Sequence, residues 1–270
     1  RDVANRAIQI VPDDHASLEQ AVEQAHSEWI EGSSGAARIL IRKGRHCVCH
    51  DDAEGGELEI GAEGMALEII GQEGACLRGT IVLGRGGGSI EGVRVESTAG
   101  PAMWLAAGKW SVNRCVLLAQ RSYSTALLCA GAGVIELAAC RIGGGGPTEA
   151  TTWGSGVARH AVGAQGRCKA TLRQCQLQHC GTSAVALQHH AALALHTCTL
   201  SQATAAMQYR VNGKEDRATL TLHDSNIDCT RVWDGDDRPF AVEDRRNTIV
   251  FFTSSAQGAL VDDFSLCTYT

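Results

Sequence analysis

Two clusters and one scattered set of side chains have the types from which a site is built. His46-Cys47-Val48-Cys49-His50 is the densest run of metal-ligand types. Successive side chains of a strand point to opposite faces, so Cys47 and Cys49 share one face while His46, Val48 and His50 share the other. One strand does not aim all four at one ion, and zinc sites usually draw their ligands as pairs from two turns. The run therefore reads as no metal site, and nothing else in the chain implies a cofactor. Asp234-Gly235-Asp236-Asp237 is the acidic counterpart. It reads as a solvated turn and not as a Ca²⁺ or catalytic site. The scattered set is basic and aromatic: His160, His189, His190 and Arg210, with Trp104 and Trp153. Their types suit a binding surface, with a flat ring to stack on and a polar rim beside it. No complete catalytic motif accompanies them.

The elements that position these residues follow from a repeat. Apolar residues recur as Leu67-x-x-Ile70, Ile90-x-x-Val93-x-Val95 and Val112-x-x-Cys115-x-Leu117. The same spacing returns as Leu137-x-x-Cys140-x-Ile142, Leu172-x-x-Cys175-x-Leu177, Leu195-x-x-Cys198-x-Leu200 and Leu222-x-x-Ser225-x-Ile227. The third elements stand at 70, 93, 115, 140, 175, 198 and 225, a period of about 22–27 residues with one long step. A second run precedes each, with inward pairs such as Ile81/Leu83, Met103/Leu105, Leu127/Cys129 and Val185/Leu187. Alternation of period two means strand. Turns carry Gly, Ser, Asn and Ala, as at Gly86-Gly87-Gly88. A leucine-rich repeat would need a recurring Asn and an alternating helix, and a propeller a longer repeat. The expectation is an all-β, right-handed parallel β-helix with three short strands per coil. It forms one domain over 1–270, with coils at about 37–229 and an inserted loop at about 143–166.

Twelve cysteines are many, but a chain of 270 residues does not depend on disulfides. Cys115, Cys140, Cys175 and Cys198 share one inward position in successive coils. Stacked positions aim their Cβ atoms the same way, which is poor disulfide geometry. They read as packed thiols and imply a reducing, cytoplasmic or otherwise intracellular setting. The ends need covers. Residues 17–29 carry a capping box, Ser17-Leu18-Glu19-Gln20, and one apolar face of Leu18, Ala21, Val22, Ala25 and Trp29. All four phenylalanines, Phe240, Phe251, Phe252 and Phe264, gather in a C-terminal cap at about 240–270. A net charge of −6 argues against nucleic acid, and no run approaches the ~20 apolar residues of a membrane span.

The order SLEQAVEQA, a Gly/Ser spacer, then ARILIRKGRHC resembles the start of pectin-lyase-like β-helix proteins. That superfamily holds pectate lyases, polygalacturonases, pectinesterases and epimerases. It also holds non-catalytic members such as the β-helix regions of F-box and Shc-SH2-binding proteins. The enzymes usually place their acidic and basic groups on the outer face of the first strand of each coil. Here those positions read Val82, Trp104, Leu128, Ala158, Ala186 and Gln208, none acidic. The resemblance thus leans to the non-catalytic members. The expectation is a non-enzymatic module that binds a protein or a glycan along its outer face, with a polysaccharide-active lyase, hydrolase or epimerase as the alternative.

Overall fold

The chain winds through three parallel sheets of ten, nine and eight strands. The computed structural model describes residues 8–30, 36–49, 56–145, 157–210, 218–229, 231–233, 248–252 and 255–256. One coil shows the path. Gly87–Glu91 lies in the ten-stranded sheet, Arg94–Ser97 in the nine-stranded sheet and Met103–Leu105 in the eight-stranded sheet; Lys109–Asn113 then returns to pair with Gly87–Glu91. Inward side chains stack in lines between coils. Ile69, Ile90, Val112, Leu137 and Leu172 form one such line, each at most 1% exposed. The interior between them is predominantly apolar, as a solenoid core without a second layer requires.

The corner between the ten- and nine-stranded sheets explains the repeated cysteines. The chain turns there on one residue in the left-handed region: Gly92 (φ 68), Arg114 (51), Ala139 (53), Gln174 (54), Thr197 (55) and Asp224 (46). A side chain in that region costs roughly 1–2 kcal/mol. The next residue offsets part of that cost by satisfying a corner carbonyl. The Cys115 thiol donates to the Asn113 carbonyl (3.3 Å), Cys140 to Ala138 (3.3 Å) and Cys175 to Arg173 (3.3 Å). Ser225 does the same with its hydroxyl, to His223 (3.0 Å). A small side chain that is apolar in bulk yet carries a donor suits the position, and Cys115, Cys140, Cys175, Cys198 and Ser225 are each 1–2% exposed.

Three local readings need correction. Ile69, not Ile70, pairs with Ile90, and Leu77 pairs with Val95. Ala75 therefore stands at the corner below Val93, because Gln72-Glu73-Gly74 widen that corner with a turn closed by the Ala75 amide on the Gln72 carbonyl (2.8 Å). Gly87 and Gly88 are strand residues rather than a turn. Ala158–Ala164, expected inside the insertion, is a strand of the eight-stranded sheet. The extra residues fall between Gly143 and Ala158; the long step from Cys140 to Cys175 revealed their number but not where the coil resumes. Trp153 lies outside the described residues.

At the N-terminal end, helix Leu18–Ile30 starts on the Gln20 amide donating to Ser17 Oγ (3.3 Å), while Gln20 Oε1 accepts from the Ala16 amide (3.0 Å). Leu18, Ala21, Val22 and Ala25 are buried on the core and Trp29 packs against it. Of the expected C-terminal cap, strands Thr248–Phe252 and Ser255–Ala256 extend the ten- and nine-stranded sheets. The rest of 240–270, and Asp234-Gly235-Asp236-Asp237, lie outside the described residues. No helix among the described residues is long and apolar enough to cross a membrane.

Candidate functional site

The outer surface of the eight-stranded sheet is concave because its strands bend. Ala102-Met103, Ala126-Leu127, Ala161-Val162, Ala184-Val185 and Ala206-Met207 are consecutive pairs of buried residues. A straight strand alternates faces, so two adjacent inward residues require a kink at that point. Thr125 and His160, paired before the kink, then line the same hollow as Leu128, Gly163, Ala186 and Gln208, in register after it. Alanine at the kink keeps the double inward turn small enough for the core.

The hollow is an open pocket of about 170 Å³ that Tyr123, Arg159, Gln165 and Gln188 complete. Small-molecule sites typically measure about 300–1,000 Å³. This one holds one face of a longer ligand and does not enclose a whole small one. His160 is 6% exposed, and its Nδ1 lies 2.8 Å from Ser183 Oγ. The Ser183 hydroxyl donates to the Val185 carbonyl (2.9 Å). It therefore accepts from Nδ1–H, which orients the ring in the hollow. Tyr123, 60% exposed, is steadied by Arg121, which donates to its hydroxyl and sits 5.7 Å from the ring centroid. Primary amides from Gln165, Gln188 and Gln208 each offer two donors and an acceptor. No carboxylate lines the pocket among the described residues.

The structure brings together only some of the expected site residues. His160 lines the pocket from within a strand. The outward stripe runs Val82, Trp104, Leu128, Gly163, Ala186, Gln208. Ala158 is not part of it: it is fully buried opposite Cys180. Glu59 stands opposite Val82, so the stripe is acidic at its lower end. Trp104, half-buried, is the neighbour of Leu128 one coil below the pocket, with Nε1 buried and unbonded. His189 and the exposed His190 form the turn after Cys180–Gln188 and do not line the pocket. Arg210 closes Ala203–Arg210 opposite Gln188. In the metal-ligand run, His46 Nε2 contacts the Arg42 carbonyl (2.9 Å) and the Cys49 thiol donates to the Glu57 carbonyl (3.5 Å), while His50 lies outside the described residues. Tyr123, Gln165 and Gln188 were missed; Gln165, Gln188 and Gln208 recur near the coil period, a signal hidden once the insertion was placed through 166.

No family model and no curated protein matches the chain. Solved structures do match it. PfbA, a surface adhesin of Streptococcus pneumoniae, superimposes with a TM-score of 0.61 at 10% identity, covering 93% of this chain and 78% of the adhesin. The pectin methylesterase of Aspergillus niger gives 0.56 at 12% identity, over 97% of this chain and 89% of the enzyme. The fold is the pectin-lyase-like right-handed parallel β-helix. Rice weevil pectin methyl esterase gives 0.60 at 11% identity, over 96% of this chain and 91% of the enzyme. Identities this low establish the fold alone, and the neighbours include both an adhesin and esterases.

Proposed function

We propose that this chain is a non-enzymatic binding module that holds a glycan along the outer face of its eight-stranded sheet. One observation carries the reading: the hollow offers amides, a tyrosine ring and the Arg159 guanidinium, without a carboxylate among its described lining residues. Amides pair with neighbouring hydroxyls, a ring stacks on a sugar face, and glycoside hydrolysis by the usual route needs two carboxylates. The stripe from Val82 through Trp104 and Leu128 extends the surface by apolar contact, so a chain running along the coils is a better fit than a single sugar. A protein on the same stripe is the competing partner. We place the module in a reducing compartment, with its stacked cysteines as core packing.

His160 favours a second reading. A nearly buried imidazole, oriented by Ser183 and beside Arg159, is a general-base candidate next to a cation, and two of the neighbours are pectin methylesterases. Purified protein screened on a glycan array, and incubated with pectin, polygalacturonate and alginate with or without Ca²⁺, separates the two. Binding without turnover, weakened by Trp104→Ala and Gln188→Ala in folded protein, is the expected result. Product release abolished by His160→Ala would establish the enzyme, and capture of a protein instead of a glycan would shift the partner.

A further inference from the structure

The floor of the hollow has a notch that the backbone does not demand. Gly163 stands in the outward stripe between Leu128 and Ala186, where every other member carries a side chain. Some strand glycines are forced by the fold: a β-carbon on Gly88 would overlap the Leu67 carbonyl oxygen, and one on Gly143 the Gln178 carbonyl oxygen. Gly163 is under no such constraint. Its φ lies outside the left-handed region, and a β-carbon there would meet only side-chain atoms: Thr125 Cγ2 at 3.2 Å, Leu128 Cδ1 at 3.5 Å and Thr125 Oγ1 at 3.6 Å. All three residues line the pocket. The glycine thus leaves open a space of about methyl size, walled mainly by carbon. Around this notch the polar groups are amides. Gln165 and Gln188 follow the paired residues Ala164 and Leu187, so they stand side by side on neighbouring coils, and Gln208 lies opposite Ala186.

We infer that the hollow selects a sugar bearing an acetamido group, with the methyl in the Gly163 notch and the N–H and C=O paired with glutamine amides. The inference rests on the reading of this face as a glycan surface and names the class of sugar. An acetamido group presents a methyl, a donor and an acceptor in one planar unit. The notch takes the first, and a primary amide complements the other two, since it both donates and accepts. A 6-deoxy sugar brings the methyl without the amide. A uronate engages Arg159 but leaves the notch empty. Each would use only part of this lining. At ~30 Å³ per water, the 170 Å³ of the hollow equals about six waters, room for an acetamido group and the ring edge that carries it. Tyr123 supplies an exposed ring beside it.

Oligosaccharide pairs that differ only in a 2-acetamido or a 2-hydroxyl group test the inference, chitohexaose against cellohexaose among them. The full chain is screened on an array of such pairs and of uronate oligomers, then titrated calorimetrically. The expected result is a preference of about tenfold for the acetamido member of at least one pair, the scale of one fitted methyl and one added hydrogen bond. Gly163→Ala fills the notch and abolishes that preference, because the acetamido member falls to the affinity of its hydroxyl partner. Only the Thr125 and Leu128 side chains, at an open pocket, have to yield to the new methyl, so the variant folds; circular dichroism and urea unfolding verify this. Trp104→Ala, two strands from the notch, weakens both members alike and keeps the preference. Equal binding within every pair, or a uronate oligomer bound above every acetamido sugar, would overturn the inference and leave the glycan reading in place. A preference that survives Gly163→Ala in folded protein would overturn it as well. Binding of no oligosaccharide would overturn both.

Discussion

Replacing Trp110 by Ala should be among the most damaging single changes in the described coils. Its ring is 2% exposed, and Nε1 donates to the Gly84 carbonyl at 3.2 Å. Trp110 lies opposite Gly88, and a β-carbon on Gly61 would run into the ring. Gly61 leaves free the volume that the indole fills, and a glycine there has no side chain to collapse into the hole. A truncated buried aromatic costs ~3–5 kcal/mol, and the stranded Gly84 carbonyl adds about 1 kcal/mol. The expected loss is roughly 4–6 kcal/mol for Trp110→Ala and a smaller one, ~1–2 kcal/mol, for Trp110→Phe, which keeps much of the ring but not the donor. Urea unfolding followed by far-ultraviolet circular dichroism measures both. A loss under about 1 kcal/mol for the alanine variant would refute the packing described here.

Other expectations follow from single contacts. Gly143→Ala should prevent or severely weaken folding, since Gly143 has φ +146 and a β-carbon there would overlap the Gln178 carbonyl oxygen; near-wild-type expression and melting temperature would contradict it. The buried cysteines among the described residues should be single thiols that react only on unfolding, as for Cys115, which burial lifts to about 11. Alkylation of unreduced, denatured protein with mass readout checks this, and a Cys140–Cys175 disulfide would contradict it. His196 stacks on His223 with ring centroids 4.5 Å apart, and its pKa is lowered by desolvation, by Arg173 and by His223. A histidine with a depressed folded pKa contributes stability above its unfolded value of ~6.5 and loses it as pH falls further. The loss is small at a partly solvated site, and His196→Gln should flatten the fall in stability below about pH 6.5; an unchanged slope would remove His196 as its source.

How much the sequence reveals depends on which residues mark the coil. The ten-stranded line and the cysteine corners are legible because one large apolar residue and one small one recur at fixed spacing. Left-handed corners at Arg114, Ala139, Gln174 and Thr197 are not, since of the corner residues only Gly92 and Asp224 have types that favour positive φ. Gly86-Gly87-Gly88 looks like a turn because its purpose, room for the backbone at Ala62, Met65, Leu67 and Lys109 in neighbouring coils, involves residues far off in sequence. The hollow is the least legible part. It depends on the kinks at Ala126-Leu127 and Ala161-Val162, which place Thr125 and His160 on the same side as Leu128 and Gly163, where simple alternation would not put them.

The central claim, recognition without catalysis on the eight-stranded sheet, meets its most direct test in one format. Native gels cast with individual polysaccharides, run with wild type and Gln188→Ala/Gln208→Ala side by side and stained afterwards for polymer, report binding and degradation together. The account predicts retardation of wild type in at least one gel, loss of that retardation in the double variant, and intact polymer beneath the wild-type band. A cleared zone under the wild-type band would contradict it.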